Sequence, residues 1–232
     1  MLRPAVADPN VEWVQHGIGP FGAFQVASLV PAGFAAYARV LHPAWGRDGE
    51  SVRWEAVARW SGRRMHSLAE FDRIAVPSDS APRTTAPYVQ PPDLGRAPLF
   101  VLDALCVHLS AHTRTPRDVV FGVWEGYSWA AALGTLPTIV LPERTYLALA
   151  GPLSAVGSLG WTGPSGNFRR EPPSLIFPAD RAWFVASDVD QDSTYVGGSR
   201  SLVSSLTAEA RIEAWEVSSA DGISSGEDII NA

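Results

Sequence analysis

DRAWFVASDVDQDSTYVGGSRSLVSSL, residues 180–206, packs more special residue types together than any other stretch of the chain. Its apolar start, residues 182–189, predicts a strand, because β-branched and aromatic side chains suit a pleated surface. Asp188, Asp190 and Asp192 alternate, so an extended chain would put all three carboxylates on one face. Gly197 and Gly198 then read as a turn. Ser199 reads as the N-cap of a helix near 200–207, its hydroxyl placed to accept an orphan amide.

Working outward toward the N-terminus, residues 24–30 (FQVASLV) predict a first strand. Pro31 then suits an early helix position, and Phe34, Tyr37, Ala38 and Leu41 follow the i, i+3, i+4, i+7 spacing of a packed helical face, which Pro43 ends. A second helix is predicted over 52–60, with Trp54, Val57 and Ala58 on one side. Ser67 and Glu70 have capping-box spacing and predict a short helix carrying Leu68 and Phe71. Residues 76–98 hold Pro77, Pro82, Pro87, Pro91, Pro92 and Pro98, which excludes a continuous helix or central strand and predicts a long surface connection.

Residues 99–109 (LFVLDALCVHL) are apolar almost all round and predict a helix buried on most sides. Residues 119–124 (VVFGVW) predict a central strand, apolar on both faces. Strands are predicted at 137–141, 145–150 and 212–217, with a Gly/Pro-rich loop over 157–174. Strands and helices mix without a strict βαβ repeat. The expected fold is therefore α+β: a mixed, largely antiparallel sheet with flanking helices and a long Pro-rich connection. The chain divides into an N-terminal strand–helix region (1–75), the connection (76–98), a C-terminal α+β region packed with the first as one domain (99–217), and a flexible, polar tail (218–232).

Composition narrows the function. The formal net charge is −6, so no global field attracts nucleic acid or an anionic membrane. The 18 basic residues are all arginine, which fits a GC-rich genome and excludes Schiff-base chemistry, pyridoxal phosphate attachment and a Walker A loop. Cys106 is the only cysteine and sits in an apolar run, which excludes an intrachain disulfide and a cysteine-rich zinc site. The start carries no apolar signal region, and no stretch reads as a membrane span. These observations predict a soluble, cytoplasmic protein with no bound cofactor or metal.

The candidate chemistry gathers around the opening stretch. An EF-hand beginning at Asp188 would need glycine where Ser193 stands and glutamate where Ser199 stands. Asp190 to Thr194 spells the D-x-D-x-T pattern of haloacid-dehalogenase-type phosphatases, but their essential lysine has no counterpart here. Tyr195 and the two glycines precede a helix start without forming G-x-G-x-x-G, and no G-x-S-x-G elbow occurs. His108 and His112 have i, i+4 spacing but no identifiable third ligand, so they read as helix-end histidines with satisfied hydrogen bonds. Glu125 sits at the mouth of the predicted central strand between Trp124 and Tyr127, a position typical of site residues. Arg144 is placed to pair with Glu125 or with an acidic ligand. Among the nine tryptophans, Trp129 and Trp161 fall in loops where they would line a partner or sugar surface.

Four segments, PAGFAAYARVLHPAW (31–45), FGVWEGY (121–127), LPERTYLALAGPL (141–153) and PADRAWFVASDVDQDSTYVGGS (178–199), together resemble a group of uncharacterised proteins of high-GC actinobacteria. The order of elements in the second half is loosely similar to SUKH-type immunity and regulatory domains, which implies protein binding without catalysis. Two expectations follow. One is a non-enzymatic binding protein, immunity-like or regulatory. The other is a small-molecule- or metal-binding enzyme with an acidic site around Glu125 and Asp188, Asp190 and Asp192. The ligand-binding candidates are Glu125, Arg144, Asp188, Asp190, Asp192 and Tyr195; partner and oligomeric state are left open.

Overall fold

The computed structural model describes residues 1–5, 9–81 and 84–232. Pro82, counted above in the proline-rich connection, lies outside the described residues. The strands are β1 (Arg3–Pro4), β2 (Ala36–Leu41), β3 (Ala44–Trp45), β4 (Ser51–Val52), β5 (Val119–Trp124), β6 (Thr138–Leu141), β7 (Arg144–Gly151), β8 (Gly160–Thr162), β9 (Phe168–Arg170), β10 (Leu175–Pro178), β11 (Phe184–Ala186), β12 (Ser193–Gly198) and β13 (Glu213–Val217). The helices are α1 (Pro9–Gly17), α2 (Trp54–Ser61), α3 (Phe71–Ile74), α4 (Leu99–Ala111) and α5 (Arg200–Thr207).

One nine-stranded sheet runs in the order β1-β7-β5-β10-β11-β12-β2-β13, with β6 also on β7. Every pair in it is antiparallel, which fits the α+β expectation. β2 lies between β12 and β13, so the first and second halves of the sequence share this sheet. Two short hairpins, β3–β4 and β8–β9, stand apart.

Both faces of the sheet are covered. On one, Ala36, Ala38, Val40, Phe121, Ile176, Val185 and Val196 pack against Leu102, Leu105 and Leu109 of α4 and Leu202, Val203 and Leu206 of α5. On the other, Tyr37, Val120, Tyr146, Leu175, Phe177, Phe184 and Tyr195 pack against Val14, Val26 and Val30. Phe177 and Phe184 stack at 5.3 Å, and Trp13 of α1 meets both rings edge-on. A third cluster joins Leu41 to Trp54 and Val57 of α2 and to Phe71 and Ile74 of α3.

Several local expectations are corrected. Residues 36–41 form a strand, not a helix, because all six are buried between β12 and β13 with neighbours on both faces. Residues 24–30 form no strand: the chain turns through short 3-10 segments at Phe21–Ala23 and Val26–Ser28. The Ser28 hydroxyl fixes that turn by accepting from the Gln25 amide and donating to the Pro20 carbonyl. Gly197 and Gly198 end β12 within the sheet and form no turn. A Cβ on Gly197 would lie 2.4 Å from Phe34 and 2.7 Å from Val30, so the missing side chain serves close packing. The helix after Ser67 begins only at Phe71, and Glu70 turns its side chain elsewhere. α4 buries one side only, leaving Phe100 40% and Val107 57% exposed. The tail beyond Ser218, expected to be frayed, packs back on the fold with Asp228 and Asn231 buried.

Other expectations fit. α2, α4, α5, β5, β6, β7 and β13 stand within a few residues of the predicted ranges. The Ser199 hydroxyl accepts from the Leu202 amide as the N-cap of α5. His108 is bonded to Ser205 and Glu209, and His112 to the His108 carbonyl. In the proline-rich connection, Gln90 bridges to Trp45, and the rest of the described residues up to Ala97 are turns and irregular chain.

Candidate functional site

A cleft of about 500 Å³ opens over the β2–β12 part of the sheet. Arg39 and Tyr195 form its floor. The 190–192 turn, Leu68 to Asp72 around the start of α3, the Pro91–Leu94 segment and the 222–227 stretch of the tail form its walls. Its apolar lining includes Phe24, Leu68, Leu94 and Ile223; Phe24 and Leu94 are about half exposed.

The six sequence candidates divide three ways. Asp190, Asp192 and Tyr195 line the cleft. Arg144 and Asp188 face an adjacent small cavity with Phe21 and Tyr146. Glu125 is exposed at the end of β5 and belongs to neither. The expectation that the three aspartates share one strand face is corrected, because residues 188–192 form a turn. The Gln191 amide bonds the Asp188 carbonyl, and the Asp190 amide bonds the Asp188 carboxylate.

This turn distributes the charges to different partners. Arg144 bonds Asp188 through Nε (3.2 Å) and one terminal nitrogen (3.4 Å), and that nitrogen also bonds Asp190 at 2.7 Å. The Arg144 guanidinium lies over the Phe21 ring. Burial works against the charged form of Arg144, but the bonds and charges of Asp188 and Asp190 outweigh it and raise its pKa. Asp192 turns the other way, to Arg39 at 3.3 Å and to the Ser193 hydroxyl at 2.9 Å. Among the described residues no group of three or more His, Cys, Asp or Glu side chains is placed to hold a metal ion.

Arg39 looks like a ligand-binding cation but is already committed. Its Nε donates to Ser193, one terminal nitrogen to the Ser67 and Ala69 carbonyls, and the other to Asp192. Trp54 lies beneath the guanidinium at 5.3 Å. Behind the floor a buried chain runs from the Asp93 carbonyl through His42 and Thr194 to Ser187. The carbonyl can only accept, so neutral His42 carries its proton on Nδ1 and Nε2 accepts from Thr194. Burial lowers the His42 pKa against the raising influence of the Asp93 carbonyl and of Asp192 and Asp93.

Tyr195 differs from its neighbours. It is only 2% exposed, yet its hydroxyl has no hydrogen-bond partner among the described residues. Burial raises its pKa, so it stays a neutral donor facing the cleft. On the walls, Asp72 has no hydrogen bond or ion pair among the described residues, and Glu227 has only the Ser224 hydroxyl at 3.2 Å. Glu70 accepts from the Gly226 and Asp228 amides and so ties the tail to α3.

Arg39, Glu70, Asp72 and Glu227 are the site residues that sequence reasoning missed. No local motif marks Arg39, Asp72 or Glu227, and Glu70 was read only as half of a capping box, because the four converge from three distant parts of the chain. The loop tryptophans are also reassigned. Trp129 is buried and stacked on Tyr127, and Trp161 is half-buried beneath Arg169. No family model, curated protein or solved structure matches this chain.

Proposed function

We propose that this protein is a non-enzymatic binding protein, immunity-like or regulatory in role, whose cleft holds a positively charged segment of a partner protein. The observation that carries this reading is the Tyr195 hydroxyl, which faces the cleft without a protein partner beneath a rim whose uncommitted charges, among the described residues, are the carboxylates of Asp72 and Glu227. A lysine or arginine side chain entering the cleft would donate to those carboxylates and to the Tyr195 oxygen. Its aliphatic stem would cover Phe24, Leu94 and Ile223. The bonds that occupy Arg39, Asp192 and Asp188 favour recognition over turnover, since those groups already serve as structural partners.

The test is a calorimetric titration with an arginine–serine repeat peptide and a glutamate–serine repeat peptide of equal length. The basic peptide is expected to bind and the acidic one not. The Asp72→Asn, Glu227→Gln double variant should weaken basic-peptide binding about tenfold, as expected for losing two partly exposed charge contacts. Equal affinity of the double variant and the parent for the basic peptide, or binding of the acidic peptide, refutes the reading.

A further inference from the structure

A second opening lies on the opposite side of the sheet, away from the acidic cleft. It is a groove of about 840 Å³ between the outward side of α4 and the chain that follows β7. Its lining is mainly apolar, with Val107 on one wall and Pro116 and Pro152 on the other, over the buried Leu153 and Val156. Val107 is 57% exposed, so the groove leaves a large side chain without apolar cover.

Two guanidinium groups reach the groove. The charge of Arg170 is neutralised by Asp103, whose carboxylate accepts from both its terminal nitrogens, while its buried Nε–H has no partner among the described residues. Arg117 is exposed and has no hydrogen bond or ion pair among the described residues. The groove thus offers an apolar surface with one uncompensated positive charge at its edge. A planar guanidinium matches a carboxylate in geometry, with two parallel N–H donors for two oxygens.

We propose that this groove is a binding site for a small monocarboxylate with an apolar tail, the carboxylate on Arg117 and the tail over Val107, Pro116 and Pro152. A polyanion is the poorer match, since Asp103 also lines the groove and, among the described residues that line it, Arg117 is the one cation without an ion pair. The site does not depend on the reading of the acidic cleft, and the two share no lining residue.

Cys106 is the only cysteine and lines the groove, so it reports occupancy. Burial pushes its thiol up to about 12, with Asp103 adding to the rise and Arg170 opposing it, so its modification is slow and sensitive to access. The experiment measures the rate of maleimide modification of the full chain at alkaline pH with octanoate, octanol or acetate present. Octanoate at ten times its dissociation constant should leave about one molecule in eleven free and slow modification about tenfold. It should also raise the melting temperature. Octanol and acetate at the same concentration should do neither. Arg117→Glu should abolish both effects of octanoate while leaving basic-peptide binding at the acidic cleft unchanged. If that variant does not fold, Arg117→Gln takes its place. Equal protection by octanol, or protection by octanoate that survives the loss of Arg117, overturns the proposal.

Discussion

The floor and the tail wall of the acidic cleft are built in opposite ways. The floor is two paired strands, with six registered residues from Ser193 opposite Leu41 to Gly198 opposite Ala36. It is backed by the apolar side chains of the opposite face, among them Ala38, Val40 and Val196, and held in place by the bonds of Arg39. The wall is a stretch of tail without helix or strand, joined to the Phe24 region by the Ile223 amide and to α3 by the Asp228 and Glu70 carboxylates. Removing one group from the floor therefore disturbs many contacts, while the wall depends on a few charge-assisted bonds. The contrast separates a rigid recognition surface from an adjustable one.

Arg39→Ala tests the floor at its most connected point and carries the largest expected effect. It strands the Ser67 and Ala69 carbonyls and leaves Asp192 without its cation. Breaking one partner of a mostly buried pair costs about 3 kcal/mol. Global unfolding in denaturant should show that loss through the midpoint, with an unchanged slope. A loss below about 1 kcal/mol would place Arg39 among surface ion pairs and remove the contrast between floor and wall.

His42 adds a smaller, pH-dependent effect behind the same floor. Its pKa in the folded protein is lowered from 6.5 by burial. Below pH 6.5 the unfolded chain takes up a proton that the folded protein refuses. Stability is therefore fully present above that pH and falls as the pH drops through the interval down to the folded value. Denaturation midpoints between pH 7.5 and 5 should decline in the parent and decline less in His42→Gln. Parallel curves for the two proteins would show that His42 titrates normally and that its chain to Thr194 and Ser187 is not closed to water.

Asp228→Asn tests the wall. The Asp228 carboxylate accepts from His66 at 2.7 Å, from the Glu70 and Asn231 amides and from the Asn231 side chain. Burial would raise its pKa, but these bonds outweigh burial and lower it. Stability held by Asp228 is thus present above pH 3.8 and lost as the pH falls through the lower folded value. The substitution should cost about 2 kcal/mol in local opening, as for hydrogen bonds to a charged group. That corresponds to about thirtyfold faster amide exchange over residues 222–231, with little change in β12. Equal acceleration in β12 would mean that floor and wall open together.

The same contrast explains what could be read from the sequence. α5 and its Ser199 cap, β5 and β7 were legible because each carries a local pattern that its tertiary neighbours do not override. β2 was not. Phe34, Tyr37, Ala38 and Leu41 have helical spacing, but a strand buried on both faces shows no alternation to oppose that reading. β12 was hidden by Gly197, whose role is visible only once Phe34 and Val30 pack against it. Half of the site candidates, Asp190, Asp192 and Tyr195, fell in the cleft because they share one turn and the strand that leaves it. The wall was invisible: Asp228 and Asn231 read as a polar tail until His66 and Arg64 supply their partners.

Tyr195→Phe carries the smallest expected stability change and tests the comparison most sharply. Every other polar group of the floor is bonded to the protein itself, so its removal must be felt in folding. The Tyr195 ring packs in the core face of the sheet, while its hydroxyl has no partner among the described residues. Phenylalanine keeps the ring and removes only that hydroxyl. Unfolding free energy should therefore stay within about 0.5 kcal/mol of the parent. Affinity for the basic peptide should fall about fivefold, as expected for one lost hydrogen bond of about 1 kcal/mol. A destabilisation above about 1 kcal/mol with unchanged peptide affinity would make the hydroxyl a structural group. The floor would then have no uncommitted hydroxyl to accept from the partner's cation, and recognition would rest on the wall alone.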